Sequence, residues 1–302
     1  MTLRLKPAFF ILSFVMAGMQ SAFAQEVHSL GIFSGFTAPY TWDEGMLRDP
    51  RYREKYHIKF APFGVHYGVD FEGYGFTFDP VIFQAGQYFN VINISGGDVG
   101  ERKIDLTYLQ VPVGFKLHMI DLHFFKVSFV ASAGAAYLIS GKETISHGAA
   151  TLKFPQGVIS NLPPDYVPTF PGSSEIITPT VSNLTLLQKE DFKPFHIFGA
   201  IGFRSDWDIK ETVRISFDFR AHYGILEPRT SNYLMRVENN EAIYDRTGSR
   251  RDLWAMLTIG ISKTAEIEPR QKQSREKKRL ESKPYRPAKY PWPGPRNKKP
   301  KN

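Results

Sequence analysis

From Val213 to Ile225, the residues Val213, Ile215, Phe217, Phe219, Ala221, Tyr223 and Ile225 alternate with Arg214, Ser216, Asp218, Arg220, His222 and Gly224. A period of two means a strand with one apolar and one charged face. At roughly 3.3 Å per residue such a strand is about 43 Å long, well beyond an ordinary globular strand and enough to cross a bilayer at a tilt. Alternation and turn residues together predict eight strands, at about 27–36, 57–70, 73–88, 103–118, 123–139, 192–205, 212–225 and 251–262. No stretch carries sustained helical periodicity. In the last strand Leu253, Ala255, Leu257, Ile259 and Ile261 share one face, with Trp254, Met256, Thr258, Gly260 and Ser262 on the other. In the third, Asp79-Pro80 interrupts the pattern and predicts a bulge that shifts its phase.

The predicted connections alternate in length. Those at 37–56, 89–102, 140–191 and 226–250 are long, and those at 71–72, 119–122 and 206–211 are short. Long loops on one side, with tight turns and both termini on the other, is the layout of outer-membrane barrels. Alternation alone leaves the direction of the apolar face open. A soluble, lipocalin-like carrier turns it inward, whereas a membrane barrel turns it outward. Strand length and loop asymmetry favour the membrane barrel. So do small residues on the expected inner face, Gly64, Gly68, Gly114, Gly134, Ala136, Ala200 and Gly202, which suit a narrow lumen. The expected fold is therefore all-β: an eight-stranded antiparallel transmembrane β-barrel with long extracellular loops and a disordered basic C-terminal tail.

The stretch Asp105–Leu117, D-L-T-Y-L-Q-V-P-V-G-F-K-L, resembles the Y-L-E-[IV]-P strand of the PorT-like outer-membrane β-barrel family. The following F-K-V-S-F-V-A-S-A-G-A-A-Y-L-I-S-G-K, residues 125–142, is similar to that family's next strand. Gln110 stands where the family has an acidic residue. The resemblance spans roughly residues 25–262 and implies an eight-stranded outer-membrane barrel of a Gram-negative bacterium. Some members of the family serve type IX secretion.

Composition refines the picture. Arg4 and Lys6, an apolar run from Ala8 to Met19 and the ending Ser21-Ala22-Phe23-Ala24 read as a signal peptide over 1–24. The absence of cysteine excludes disulfides, thiolate metal sites and a lipoprotein anchor. The net charge of +8 is unevenly placed: residues 263–302 hold 14 Lys and Arg against 4 Glu, and two more basic residues lie in 1–24, leaving 25–262 at −4. The basicity therefore belongs to a Pro-rich tail, expected to be extended and periplasmic. Tyr285, Tyr290 and Trp292 are candidate anchors for peptidoglycan, anionic lipid or an acidic partner. Export to the envelope argues against nucleic acid as a partner.

His66, Asp70, Lys116, Lys126, Arg204, Arg214, Asp218, Arg220 and His222 are expected inside the barrel as a network of ion pairs filling the lumen. A hydrolytic reading would use Ser216, Asp218 and His222. Residues i and i+4 of a strand lie about 13 Å apart, however, so Asp218 and His222 cannot pair directly. The histidines lack metal-ligand spacing, and no cofactor is expected. Tyr40, Trp42, Tyr56, Tyr88, Phe89, Trp207 and Tyr223 are candidates for aromatic girdles. The 140–191 loop carries Phe154, Val158, Ile159, Tyr166, Val167, Phe170, Ile176 and Ile177, and is expected to cap the barrel or dock a partner. The resulting expectation is a monomeric, non-enzymatic outer-membrane protein, surrounded by lipid and accessory to secretion or envelope organisation. The alternatives are surface adhesion through the 140–191 loop and a soluble ligand carrier.

Overall fold

The computed structural model describes residues 26–267, except His123 and Glu211. The expected signal peptide, 1–24, and the candidate tail anchors Tyr285, Tyr290 and Trp292 lie outside the described residues. Eight barrel strands follow one another: β1 (Glu26–Asp43), β2 (Lys59–Asp70), β3 (Tyr74–Phe78 and Val81–Ala85), β4 (Asp98–Leu122), β5 (Phe125–His147), β6 (Phe195–Lys210), β7 (Val213–Gly224) and β8 (Arg250–Ile267). Each pairs antiparallel with its predecessor, and β8 pairs with β1 to close the ring. Closure satisfies every ladder and leaves no free sheet edge in the apolar zone, which hydrocarbon surroundings demand.

Side-chain exposure settles the direction of the faces. Leu257, Ile259 and Ile261 on β8, Phe217 and Phe219 on β7, and Val111, Val113 and Phe115 on β4 all project outward and are exposed. Arg214, Ser216, Asp218, Arg220 and His222 point inward and are buried. An apolar outside around a charged inside is the arrangement of a membrane barrel, not of a soluble carrier. The outward apolar run on β8, Leu253 to Ile261, is nine residues long, matching the 9–11 residues of a tilted spanning strand.

Several predicted boundaries move. At the short-turn end, β4 and β5 approach to Leu122 and Phe125, and β6 and β7 to Lys210 and Val213. The expected turns at 119–122 and 206–211 are thus mostly strand. Cross-strand neighbours there are charged, as in Asp121↔Lys126 and Asp208↔Arg214, so the apolar alternation that marks a strand fades while the pairing continues. β8 also runs five residues past 262, to Ile267.

The expected phase shift at Asp79-Pro80 is absent. Phe78 pairs with Tyr67 and Ile82 with Phe63, one unbroken register, and both side chains project outward. Val65 N–H donates to the Pro80 carbonyl (2.9 Å), so the proline interrupts the ladder without displacing it.

At the other end β4 and β5 are 25 and 23 residues long, about 80 Å at the strand rise, and they carry the long loops far above the apolar zone. The loops fold into a cap with short strands at Tyr52–Lys55, Tyr88–Ile92 and Val181–Leu187, a separate three-stranded sheet (Ala150–Lys153, Val167–Pro168, Glu175–Thr178) and two helices, α1 (Glu44–Leu47) and α2 (Ser231–Glu238). Both helices escape a periodicity search because they span so few residues. Their N-caps are legible: Asp43 accepts from Met46 N–H (3.1 Å), and Thr230 Oγ1 accepts from Tyr233 N–H (3.4 Å).

Leu257 lies at the centre of the outward apolar run of β8. Leu257→Lys is expected to destabilise the barrel by about 2–4 kcal/mol, the cost of a cation at mid-membrane depth. Urea unfolding in lipid vesicles, followed by heat-dependent gel mobility, measures this; an unchanged midpoint would place that face away from lipid.

Candidate functional site

Two charged clusters and an aromatic layer fill the interior. Nearest the short turns, Asp70 is paired with Lys116 and accepts from Arg214 Nη1 (2.6 Å). Arg214 also grips Asp208 with Nε (2.7 Å) and Nη2 (3.2 Å), the two-pronged geometry that favours guanidinium over ammonium. Arg204 Nε donates to Asp206 Oδ1 (2.8 Å), and Ser216 Oγ donates to the same oxygen (2.6 Å). Arg220 Nη2 donates to both Asp79 Oδ2 (2.8 Å) and Asp218 Oδ2 (2.6 Å). His66 Nδ1 donates to the other Asp79 oxygen, which leaves Nε2 to accept from Arg204 Nη2 (3.1 Å).

Eight of the nine expected lumen residues are thus buried inside the barrel, seven in this cluster and His222 above it, where its Nδ1 meets Gln110 Nε2 (3.3 Å). Lys126 faces inward at the mouth and pairs with Asp121 (3.3 Å), apart from the cluster. The hydrolytic set is not assembled: Ser216 is committed to Asp206, Asp218 to Arg220, and His222 to Gln110. Asp79, Asp206 and Asp208 were absent from the expected set. Asp206 and Asp208 continue the inward parity of β6 past the predicted strand end at 205, and Asp79 was masked by the assumed bulge.

Above the charges lies an aromatic layer. Trp254 stacks on His222 with ring centroids 5.1 Å apart, packs on Phe83 at 5.2 Å, and meets Phe198 at 5.8 Å. A cavity of about 40 Å³ remains between this layer and the ion pairs, bordered by Gln110, Arg220, His222 and Met256. That is room for about one to three waters and no pore.

The second charged cluster holds the cap. Arg250 Nε donates to Asp43 (2.7 Å) and its Nη1 to Glu143 (2.8 Å). Arg102 pairs with Glu143, donates to Asp245 Oδ1 (2.6 Å), and reaches the Tyr244 carbonyl (2.8 Å). Arg51 clasps Asp49 and the Ile243 carbonyl (3.1 Å), while Arg229 Nη2 reaches the Gly248 carbonyl (2.7 Å). All four arginines are fully buried. Together they tie the segment after β1, the β4–β5 hairpin and the 226–250 loop into one body. Burial would raise the Asp245 carboxyl, but Arg102 and Arg250 outweigh it and bring it down to about 2. His147, whose Nε2 meets the Tyr244 hydroxyl at 3.0 Å, is lowered by burial and stays neutral.

The 140–191 segment divides. Residues 140–147 continue β5. Phe154, Val158, Tyr166 and Ile176 are buried in the cap core, whereas Val167, Phe170 and Ile177 project from it, exposed. The girdle expectation needs one correction: Phe89 is buried in the cap core, because its inward parity on Tyr88–Ile92 turns it to Val91's side of that strand. Trp207 and Tyr223 do lie on the outer face.

No protein-family model matches the sequence, and no curated protein matches it. Similar solved structures include Neisserial surface protein A, 8% identical, covering 79% of this chain and 96% of that one, with a TM-score of 0.31. Ail, the attachment invasion locus protein of Yersinia pestis, is 12% identical, covering 78% and 98%, with a TM-score of 0.31. The outer membrane protease OmpT from Escherichia coli is 6% identical, covering 80% and 97%, with a TM-score of 0.36.

Asp206→Ala would leave Arg204 with a buried charge robbed of its nearest carboxylate, and is expected to cost about 3–5 kcal/mol in urea unfolding; Asp206→Asn, which keeps a partner for Ser216, should cost less. Acid should loosen the cap before the barrel. His147 is lowered in the folded state, so its contribution is complete above about pH 6.5, its ordinary value, and fades as pH falls below that. The contribution of Asp245 is complete above about pH 4 and is lost as pH falls towards about 2. The protection of residues 233–245 against hydrogen exchange, taken relative to the intrinsic amide rate at each pH, should therefore fall on acidification while β7 and β8 remain protected; uniform protection down to pH 4 would count against this.

Proposed function

We propose that this chain is a non-enzymatic barrel of a Gram-negative outer membrane, with its long loops outside and its short turns and basic tail in the periplasm, acting by presenting a rigid cap to other envelope or surface molecules. The observation that carries this reading is where the polar side chains are committed. Ion pairs and a Trp254-centred layer occupy the lumen, and the cavity they border measures about 40 Å³, room for a few waters. The loops, by contrast, are held in one shape by four buried arginines. A preorganised outer surface binds without the cost of ordering its loops first.

The resemblance to the PorT-like family supports an accessory role in protein secretion. The basic tail supplies charge for peptidoglycan carboxylates on the periplasmic side. A second reading, surface binding or adhesion, is favoured by Val167 and Ile177 on the three-stranded sheet and Phe170 between its strands, which give the cap exposed apolar area.

In a strain lacking the gene, cargo proteins are expected to fall selectively in the medium while outer-membrane integrity is unchanged. Normal secretion would overturn the secretion role. Val167→Asp with Phe170→Asp then tests adhesion, the expected outcome being lost surface attachment with normal secretion.

A further inference from the structure

The outer wall of β3, β4 and β5 changes character abruptly at its loop end. Ile82, Leu109 and Tyr137 form one cross-strand row that Phe195 of β6 extends, closing the apolar zone. The rows above are Gln84, Thr107 and Ser140, then Asp105 and Lys142. A groove of about 220 Å³ opens there, lined by Lys59, Gln84, Asp105, Thr107, Ser140 and Lys142.

The charges around it are unevenly answered. Asp105 accepts from Lys59 Nζ (2.8 Å), which also donates to the Ala85 carbonyl (2.8 Å), so these two groups satisfy each other. Lys142 stands directly across from Asp105 in register, yet among the described residues it makes no hydrogen bond or ion pair. Lys189 lies with its ammonium over the Tyr137 ring (5.9 Å), in the top row of the apolar zone, and among the described residues makes no hydrogen bond or ion pair through its side chain. Lys103, one row higher, lies over the Tyr88 ring at 5.5 Å and is already paired with Glu101 (3.2 Å). Elsewhere the loop-end edge of the wall carries exposed Trp42, Tyr223 and Ile225, with Arg251 beside them on β8 donating to the Arg250 carbonyl (3.1 Å).

We propose that this groove seats a phosphate group of an outer-leaflet glycolipid, with Lys142 and Lys189 as its principal cations and the Gln84, Thr107 and Ser140 side chains as neutral donors. The position selects a lipid over a free anion. A phosphate held at Lys142 lies two rows above the Ile82–Leu109–Tyr137 row, with the polar Gln84, Thr107 and Ser140 side chains between, and acyl chains joined to the same molecule reach down to lie against the apolar wall. Lysine suits this task because its flexible ammonium follows a headgroup that is not fixed in orientation. The inference rests on the outer-membrane placement proposed above and not on a role in secretion.

The test uses the full chain in nanodiscs, with lipid A bisphosphate as the probe and its dephosphorylated form for comparison, bound lipid being counted by native mass spectrometry. Lys142→Gln with Lys189→Gln is expected to weaken lipid A binding about tenfold and to leave the dephosphorylated lipid unchanged. A control pair on the cap, exposed Arg48→Gln with exposed Lys153→Gln, removes the same charge and should have no effect. Heat-dependent gel mobility verifies that each variant is folded. Equal affinity of parent and wall variant would overturn the proposal, as would an equal loss in the cap control variant, which would mark attraction by net charge. Full competition by millimolar inorganic phosphate would overturn the lipid assignment in favour of a free-anion site. A secretion defect without any change in lipid binding would bear on the proposed function alone.

Discussion

The hydrogen-bonded seam between β8 and β1 is the constraint on which the rest of the structure depends. Inside hydrocarbon an unpaired backbone N–H or carbonyl costs several kcal/mol, and a sheet of eight strands with two open edges would present a row of them. Closing the ring removes both edges. Closure in turn dictates the side chains: with alternate residues facing opposite ways, the lipid-facing half must be apolar, and the other half is confined to a tube too narrow for bulk water.

That confined half explains the chemistry of the interior. Once the apolar residues are committed outward, the lumen must be filled by something long, and arginine and lysine paired with aspartate fill it while satisfying one another. Such pairs are not a net gain over a well-packed apolar core. Here the alternative is not available on the same terms, because a strand apolar on both faces would lose the pattern that sets its register. The pairs also specify which strands may be neighbours. Arg214 needs Asp208 on β6 and Asp70 on β2, and Arg220 needs Asp79 on β3, so the cluster reads out the closed topology from inside.

The cap applies the same device where no lipid forces it. Arg51, Arg102, Arg229 and Arg250 are buried among loop carbonyls and carboxylates that would otherwise be solvated, at a desolvation cost that only specific geometry offsets. Loops connecting barrel strands can be short or mobile without harming the barrel. Holding these in one shape therefore serves the outer surface rather than the membrane span, and it leaves Val167, Phe170 and Ile177 facing outward from a fixed frame.

The sequence by itself determined the strand number, the alternation of long and short connections, and the inward set His66, Asp70, Lys116, Arg204, Arg214, Asp218, Arg220 and His222, because a period of two is a local property that any barrel must write into its chain. Alternation by itself left open whether the apolar face looks out or in, since both kinds of barrel share that period, and strand length with loop asymmetry favoured outward. Tertiary structure decided this, along with every partnership in the lumen. Arg214 and Asp70 are 144 residues apart in the chain, and only the stagger of closed strands brings them together. The same holds for the strand ends, where charged cross-strand pairs replace apolar alternation, and for Asp79, whose place in the lumen depends on a register that Pro80 interrupts without shifting. The cap arginines were the least legible of all. Their partners lie in three separate segments, and nothing local distinguishes an arginine that will be buried from one that will meet water.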